Sequence, residues 1–286
     1  MHWSDRRRRF RALLAGERCV HPGSVFDPIS ARIAEDLGFE VGMFAGSTAS
    51  LTVLGAPDLI VLTLSEFAAQ ACRINRAGGL PLLVDADHGY GNALNAKRTV
   101  EELETAGVAA LSIEDTELPT PFGSAKPRLI SIAEGVGKMK AAVAGRQDPL
   151  LCIAGRTGAA QITNLEDAVA RGKAYEAVGV DALFMVGLRT RVELDAISAA
   201  TGLPLILGGA TPELSDRDYL AARRVRVALQ GHAPFAAAVK AVHDTLKALR
   251  EGTPPSKLAG IADAELMTRV TRDGDSATWA KEFLGG

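Results

Sequence analysis

Leu80-Pro81-Leu82-Leu83-Val84-Asp85-Ala86-Asp87-His88-Gly89-Tyr90-Gly91 carries the strongest structural signal in the chain. An apolar run stops abruptly at two aspartates, a histidine and two glycines. It is too short and too sharply bounded for a helix, so it reads as a parallel strand buried on both faces. Carboxylates set where such a strand stops are hard oxygen ligands, suited to Mg²⁺ or Mn²⁺, which leave coordination sites to water and substrate. The glycines let the backbone turn tightly and approach a ligand closely. The plain alternative is an Asp-rich turn, but two acids and a histidine in one turn are costly unless a cation joins them.

Similar runs recur on both sides. Cys19–His21, Val41–Ala45, Pro81–Val84, Ala110–Ile113, Leu150–Ala154, Ala182–Val186, Pro204–Leu207 and Val225–Leu229 read as strands. Amphipathic stretches lie between them: Ser30–Leu37, Ser65–Arg76 with Ser65 as N-cap, Asn95–Ala106, Glu134–Ala144, Leu165–Val178, Arg191–Ala200 and Asp216–Ala222. Several end at glycine, the expected C-terminal stop. Eight such units predict an α/β fold, a (β/α)8 barrel of the TIM type. An open doubly wound sheet would carry a glycine-rich phosphate turn, and no G-x-G-x-x-G follows an early strand. The expected barrel domain, with an N-terminal helix, covers residues 1–252; Phe235–Arg250 is its last helix, and Gly252-Thr253-Pro254-Pro255 breaks the chain. Residues 253–286 form a helical tail that covers the barrel or crosses to another subunit.

Composition narrows the function. A net charge of -2 over 286 residues, with no long basic stretch, argues against nucleic acid as partner. Arg6–Arg9 reads as a solvated helix face. No apolar stretch is long enough for a bilayer, and the N-terminus makes a poor signal peptide. Cys19, Cys72 and Cys152 are too few and too scattered for a disulfide framework, so a reducing cytoplasm is the expected setting.

In such a barrel the C-terminal strand ends surround one pocket. They collect Ser47 and Thr48 after strand two, Asp85 and Asp87 after strand three, and Glu114 and Asp115 after strand four. Arg156 and Thr157 follow strand five, and His232 follows strand eight. Asp58 is placed to reach the same rim. Acids crowded together are tolerable around a metal ion, and an arginine with a histidine facing them suits an anionic substrate. Structural alternatives stand beside them: an N-cap for Ser47 or Thr48, a cap or pair for Asp115, an ion pair for Glu114 or Arg156, and an ordinary strand-end histidine for His232.

The chain resembles the isocitrate lyase and phosphoenolpyruvate mutase superfamily. The likeness runs from Ser24 to His232. It rests on Ser24-Val25-Phe26-Asp27-Pro28, Gly46-Ser47-Thr48, Asp85-Ala86-Asp87-His88-Gly89-Tyr90-Gly91, Ser112-Ile113-Glu114-Asp115, Gly155-Arg156-Thr157 and Gly231-His232. Within it, the chain looks most like the oxaloacetate decarboxylases. That resemblance implies Mg²⁺ (Mn²⁺ as the alternative) and no organic cofactor, with Asp85 bound directly and Asp87 and Glu114 through water. It implies substrate contacts at Ser47, Thr48, Arg156 and His232, with Arg156 and His232 catalytic. The expected reaction is loss of CO₂ from oxaloacetate through a metal-stabilised enolate to give pyruvate. Alternatives are cleavage of a C–C or C–P bond in a related α-keto acid, and a barrel that only binds dicarboxylates. Lyases of the superfamily carry a Lys-x-Cys-Gly-His loop after strand four. Here that region reads Pro119-Thr120-Pro121-Phe122-Gly123-Ser124-Ala125-Lys126, with neither cysteine nor histidine. A homotetramer exchanging its last helices is implied as well.

Overall fold

Eight parallel strands pair in chain order, each with the next, in a computed structural model that describes residues 2–124 and 126–285. They are β1 (Gly23–Ser24), β2 (Gly42–Phe44), β3 (Leu82–Asp85), β4 (Ala110–Glu114), β5 (Cys152–Thr157), β6 (Ala182–Met185), β7 (Leu205–Leu207) and β8 (Val225–Ala228). Val20 bridges Val227, which ties the first edge to the last and makes the barrel. Cys19–His21, expected as the first strand, supplies only that bridge. The ladder itself starts at Gly23, and Pro22 has no backbone N–H with which to continue one.

The helices are α1 (Trp3–Ala15), α2 (Pro28–Asp36), α3 (Gly46–Ala49), α4 (Leu64–Arg76), α5 (Ala93–Thr105), α6 (Ile132–Gly145), α7 (Ala159–Ile162), α8 (Leu165–Val178), α9 (Arg191–Ala200) and α10 (Arg217–Ala222), followed by α11 (Ala233–Arg250), α12 (Ala264–Thr271) and α13 (Asp273–Leu284). α4 is capped by Thr63, not by the expected Ser65. The Thr63 hydroxyl accepts from the Glu66 N–H, and the Glu66 carboxylate accepts from the Thr63 N–H.

Side-chain alternation along the strands sorts the core into two layers. Met43, Leu83, Ala110, Cys152, Ala154, Ala182, Phe184, Ile206 and Val227 fill the barrel interior, with Phe10 and Leu14 of α1 packed against them. Phe44, Leu82, Val84, Leu111, Ile113 and Ile153 face the helices.

Arg6 and Arg7 of α1 are buried, at 3% and 4% exposure, and this corrects the expected solvated face. Arg6 donates to the carbonyls of Asn75 and Gly78. Arg7 donates to those of Glu104 and Val108 and pairs with Asp148 at 2.7 Å. Asn75 and Glu104 stand in the last turns of α4 and α5, where carbonyls have no partner within the helix. A guanidinium satisfies two or three of them at once.

By internal contacts the chain parts into two units, Met1–Gly231 and His232–Gly286. The expected division at 252 counts α11 with the barrel; within this chain α11 goes with the tail, and none of its residues is buried. No helix among the described residues is long and apolar enough to cross a membrane.

Candidate active site at the strand ends

The alternation that packs the interior also places the chemistry. Leu83 points inward, so Asp85 does; Ala110 points inward, so Ser112 and Glu114 do; Ala154 points inward, so Arg156 does. Pairing aligns them further, Asp85 opposite Ser112 and Glu114 opposite Arg156. The last inward layer is therefore polar: two acids and an arginine over an apolar barrel.

Arg156 is the hub. One guanidinium nitrogen bonds the Asp85 carboxylate, and another lies 3.7 Å from Glu114. Its charge sits 5.4 Å from the centre of the Phe184 ring. The other Asp85 oxygen accepts from the Ser112 hydroxyl and the Asp87 N–H, both at 3.2 Å. Glu114 also accepts from the Thr116 hydroxyl at 2.6 Å. Asp87 adopts φ 47°, and its carbonyl accepts the Glu114 N–H at 2.8 Å, so its turn is pinned to β4. Its carboxylate lies directly on Gly46, where a Cβ would fall 2.6 Å from both oxygens.

The acids pay electrostatically for their crowding. Burial, then the charges of Asp85, Glu114 and Asp58, push the Asp87 carboxyl well above the usual range, with Arg156 opposing. Burial pushes Glu114 up; Arg156 pulls it back, and the net direction remains upward. Asp58 is raised by burial and by Asp85, which brings its loop into the same field. Burial alone would lower the pKa of Arg156, but Asp85, Glu114 and Asp87 outweigh it and keep the group charged. His88 goes the other way: burial and the nearby Lys138 lower it to about 4, and it is neutral at physiological pH.

Other candidates fall elsewhere. Ser47 is partly exposed at the start of α3. Thr48 is buried, and its hydroxyl donates to the Ala45 carbonyl at 2.9 Å, so it ties the β2–α3 turn. Asp115 follows Glu114 and therefore points outward. It is fully buried, accepting from Tyr175 at 2.6 Å and Arg171 at 2.9 Å, both on α8, as a structural ion pair. His232 opens the second unit as the residue before α11. Sequence reading passed over Lys138, which is buried and donates to the His88 carbonyl at 2.8 Å. It also passed over Tyr90, whose buried hydroxyl has no hydrogen-bond partner. Lys138 gave no signal, being one lysine in a helix; Tyr90 lay inside the decisive motif.

The donor set suits a hard cation. Asp85, Asp87 and Glu114 offer carboxylate oxygen alone. Among the described residues no three His, Cys, Asp or Glu converge as one ligand group. Mg²⁺, however, takes one or two carboxylates and keeps its remaining waters, and acids raised by burial and by neighbouring carboxylates gain most from a cation.

This arrangement defines an enzyme of the phosphoenolpyruvate mutase/isocitrate lyase superfamily: the model of the phosphoenolpyruvate phosphomutase family matches residues 10–250, and the chain belongs to that family. Relatives narrow the likeness. An oxaloacetate decarboxylase of Bradyrhizobium diazoefficiens is 62% identical over 285 residues, spanning 100% of this chain and 99% of its own. One from Rhodopseudomonas palustris strain BisB18 matches at 62% with the same coverage. Among solved structures, oxaloacetate acetylhydrolase with 3,3-difluorooxalacetate is similar at TM-score 0.85 and 27% identity, covering 99% of this chain and 98% of that one. Phosphonopyruvate hydrolase with oxalate and Mg²⁺ is similar at 0.86 and 27%, covering 99% and 100%.

Proposed function

We propose that the protein decarboxylates oxaloacetate to pyruvate and CO₂ with Mg²⁺ or Mn²⁺ as cofactor. The observation that carries this reading is the polar layer closing the barrel: Asp85, Asp87 and Glu114 gathered round one half-buried arginine. Relatives named oxaloacetate decarboxylase, alike along the whole chain, support the choice of substrate.

Asp85 would hold the cation directly, with Asp87 and Glu114 accepting hydrogen bonds from its waters. When bound, the cation stabilises negative charge developing on the keto oxygen as a Lewis acid. Arg156 neutralises carboxylate charge in a low-dielectric setting, where a fixed guanidinium acts strongly. The C3–C4 bond breaks, C4 departs as CO₂, and the electron pair stays as the enolate of pyruvate until a proton reaches C3. Ser47 and His232 are assigned contacts to the substrate, and His232 also suits return of that proton. Thr48 anchors the turn that presents Ser47.

The test is oxaloacetate loss and pyruvate formation with Mg²⁺ and after EDTA. Turnover above the spontaneous rate that needs the metal is expected, and its absence sinks the reading. Phosphate release from phosphonopyruvate in place of CO₂ release from oxaloacetate would favour C–P cleavage, and oxalate binding without turnover of either would leave a binding barrel.

A cytoplasmic homotetramer whose last helices cross between subunits belongs to the same proposal. Val239, Val242, Leu246 and Leu249 stand exposed at helical spacing on α11, a stripe a soluble helix ordinarily covers. Light scattering checks the mass: a monomer would refute it.

A further inference from the structure

Tyr90 joins two features that packing alone does not explain. Its backbone lies at φ 59°, a left-handed conformation that is a genuine outlier for a bulky side chain. Its phenolic oxygen is buried without a hydrogen-bond partner, although buried tyrosines usually find one. The neighbours account for the ring and not for the hydroxyl. The ring tilts against Phe67 at 6.3 Å, and Phe67 stacks on Phe44 at 4.9 Å. The His88 ring lies 6.2 Å from the Tyr90 ring, also tilted. A phenylalanine would serve that packing equally.

Asp87, Asp85 and Asp58 lie close enough to act on the phenol electrostatically, yet no carboxylate accepts its proton. The turn that carries the Asp87 carboxylate therefore also carries a spare donor. A phenol keeps its proton near neutrality, so an anionic oxygen satisfies it.

We propose that the Tyr90 hydroxyl touches the substrate, donating a hydrogen bond to a carboxylate oxygen of the keto acid bound at the acid cluster. The inference rests on the keto-acid reading of that cluster. It assigns the turn two jobs: Asp87 serves the cation side and Tyr90 the anion side. Left-handed backbone at both Asp87 and Tyr90 is the geometry that lets one short turn do both.

Tyr90→Phe removes one oxygen and keeps the ring. Thermal unfolding without ligand, calorimetric binding of oxalate with Mg²⁺, and oxaloacetate kinetics are compared with the wild type. The variant should unfold at the same or a higher temperature, since an unsatisfied donor has gone. Its Kd for oxalate and its KM for oxaloacetate should rise together by roughly tenfold, the weight of one hydrogen bond to a charged group. An earlier unfolding transition without ligand means the hydroxyl serves the fold, and overturns the proposal. Unchanged oxalate affinity and KM overturn it too. If wild-type protein neither binds oxalate nor consumes oxaloacetate, the keto-acid reading fails and takes this inference with it; a wild type that does both beside an indistinguishable variant defeats this inference alone.

Discussion

Gly46→Ala probes the site through a single methyl group. That methyl would sit 2.6 Å from both Asp87 carboxylate oxygens and 2.9 Å from Cγ, closer than real contacts allow. The backbone at Gly46, the first residue of α3, is not left-handed, so alanine itself causes no strain there. Asp87 cannot retreat as a whole, because its carbonyl is bonded to the Glu114 N–H. The carboxylate must swing away. Reaching an ordinary contact of 3.4 Å requires a shift of about 0.8 Å. Misplacing a reacting group by about 1 Å costs on the order of 10²-fold, or roughly 2.7 kcal/mol of transition-state stabilisation. Stability should move little, since alanine favours a helix by up to about 1 kcal/mol over glycine and offsets the crowding. The assay is steady-state oxaloacetate decarboxylation over a range of Mg²⁺ concentrations, paired with melting followed by circular dichroism. A folded Gly46→Ala enzyme with wild-type kcat/KM and metal dependence would strip Asp87 of its proposed role, for its carboxylate would then move without consequence.

Asp85→Ala removes the acid central to the proposed metal site and should abolish turnover above the spontaneous rate; residual turnover that survives EDTA would exclude the metal role. Asp87→Asn should abolish activity and stabilise the metal-free protein. Asp87 is held well above the usual carboxylate range, so the stability it contributes is complete below the unfolded pKa near 4 and falls as pH rises through its own raised value. Melts of EDTA-treated protein at pH 5 and pH 8 should show a smaller decline in the variant, and an equal decline in both would count against this account. Asp115→Asn breaks a fully buried pair with Arg171 and should cost roughly 3 kcal/mol of stability in denaturant titration, with kcat/KM changed less than about threefold; a large loss of kcat/KM would return Asp115 to the chemistry.

The polar layer was legible because it obeys the period of two that makes a strand. Once Leu80–Val84 is read as buried and parallel, Asp85 must stand at its open end, and the same parity separates Glu114 inside from Asp115 outside. Parity was the signal available for Asp115, whose partners Arg171 and Tyr175 lie 56 and 60 residues away. The first strand was misplaced because two paired residues carry no periodicity. The Arg6–Arg9 run looks like a wet face, since polarity in sequence does not reveal that carbonyls elsewhere are waiting for a donor. Tyr90 hid for a related reason. An aromatic residue in a glycine-rich turn is expected to pack, and only the folded structure shows an oxygen left over.

The guanidinium pair in α1 has a consequence for genetics. Losing either one would leave partly buried helix-end carbonyls without the donor that now satisfies them. The enzyme would then fail through folding and abundance rather than turnover. A mutational survey scored only by activity in cell extracts would flag Arg6 and Arg7 alongside Asp85 and Arg156. Quantifying protein level beside activity would separate the two groups at once.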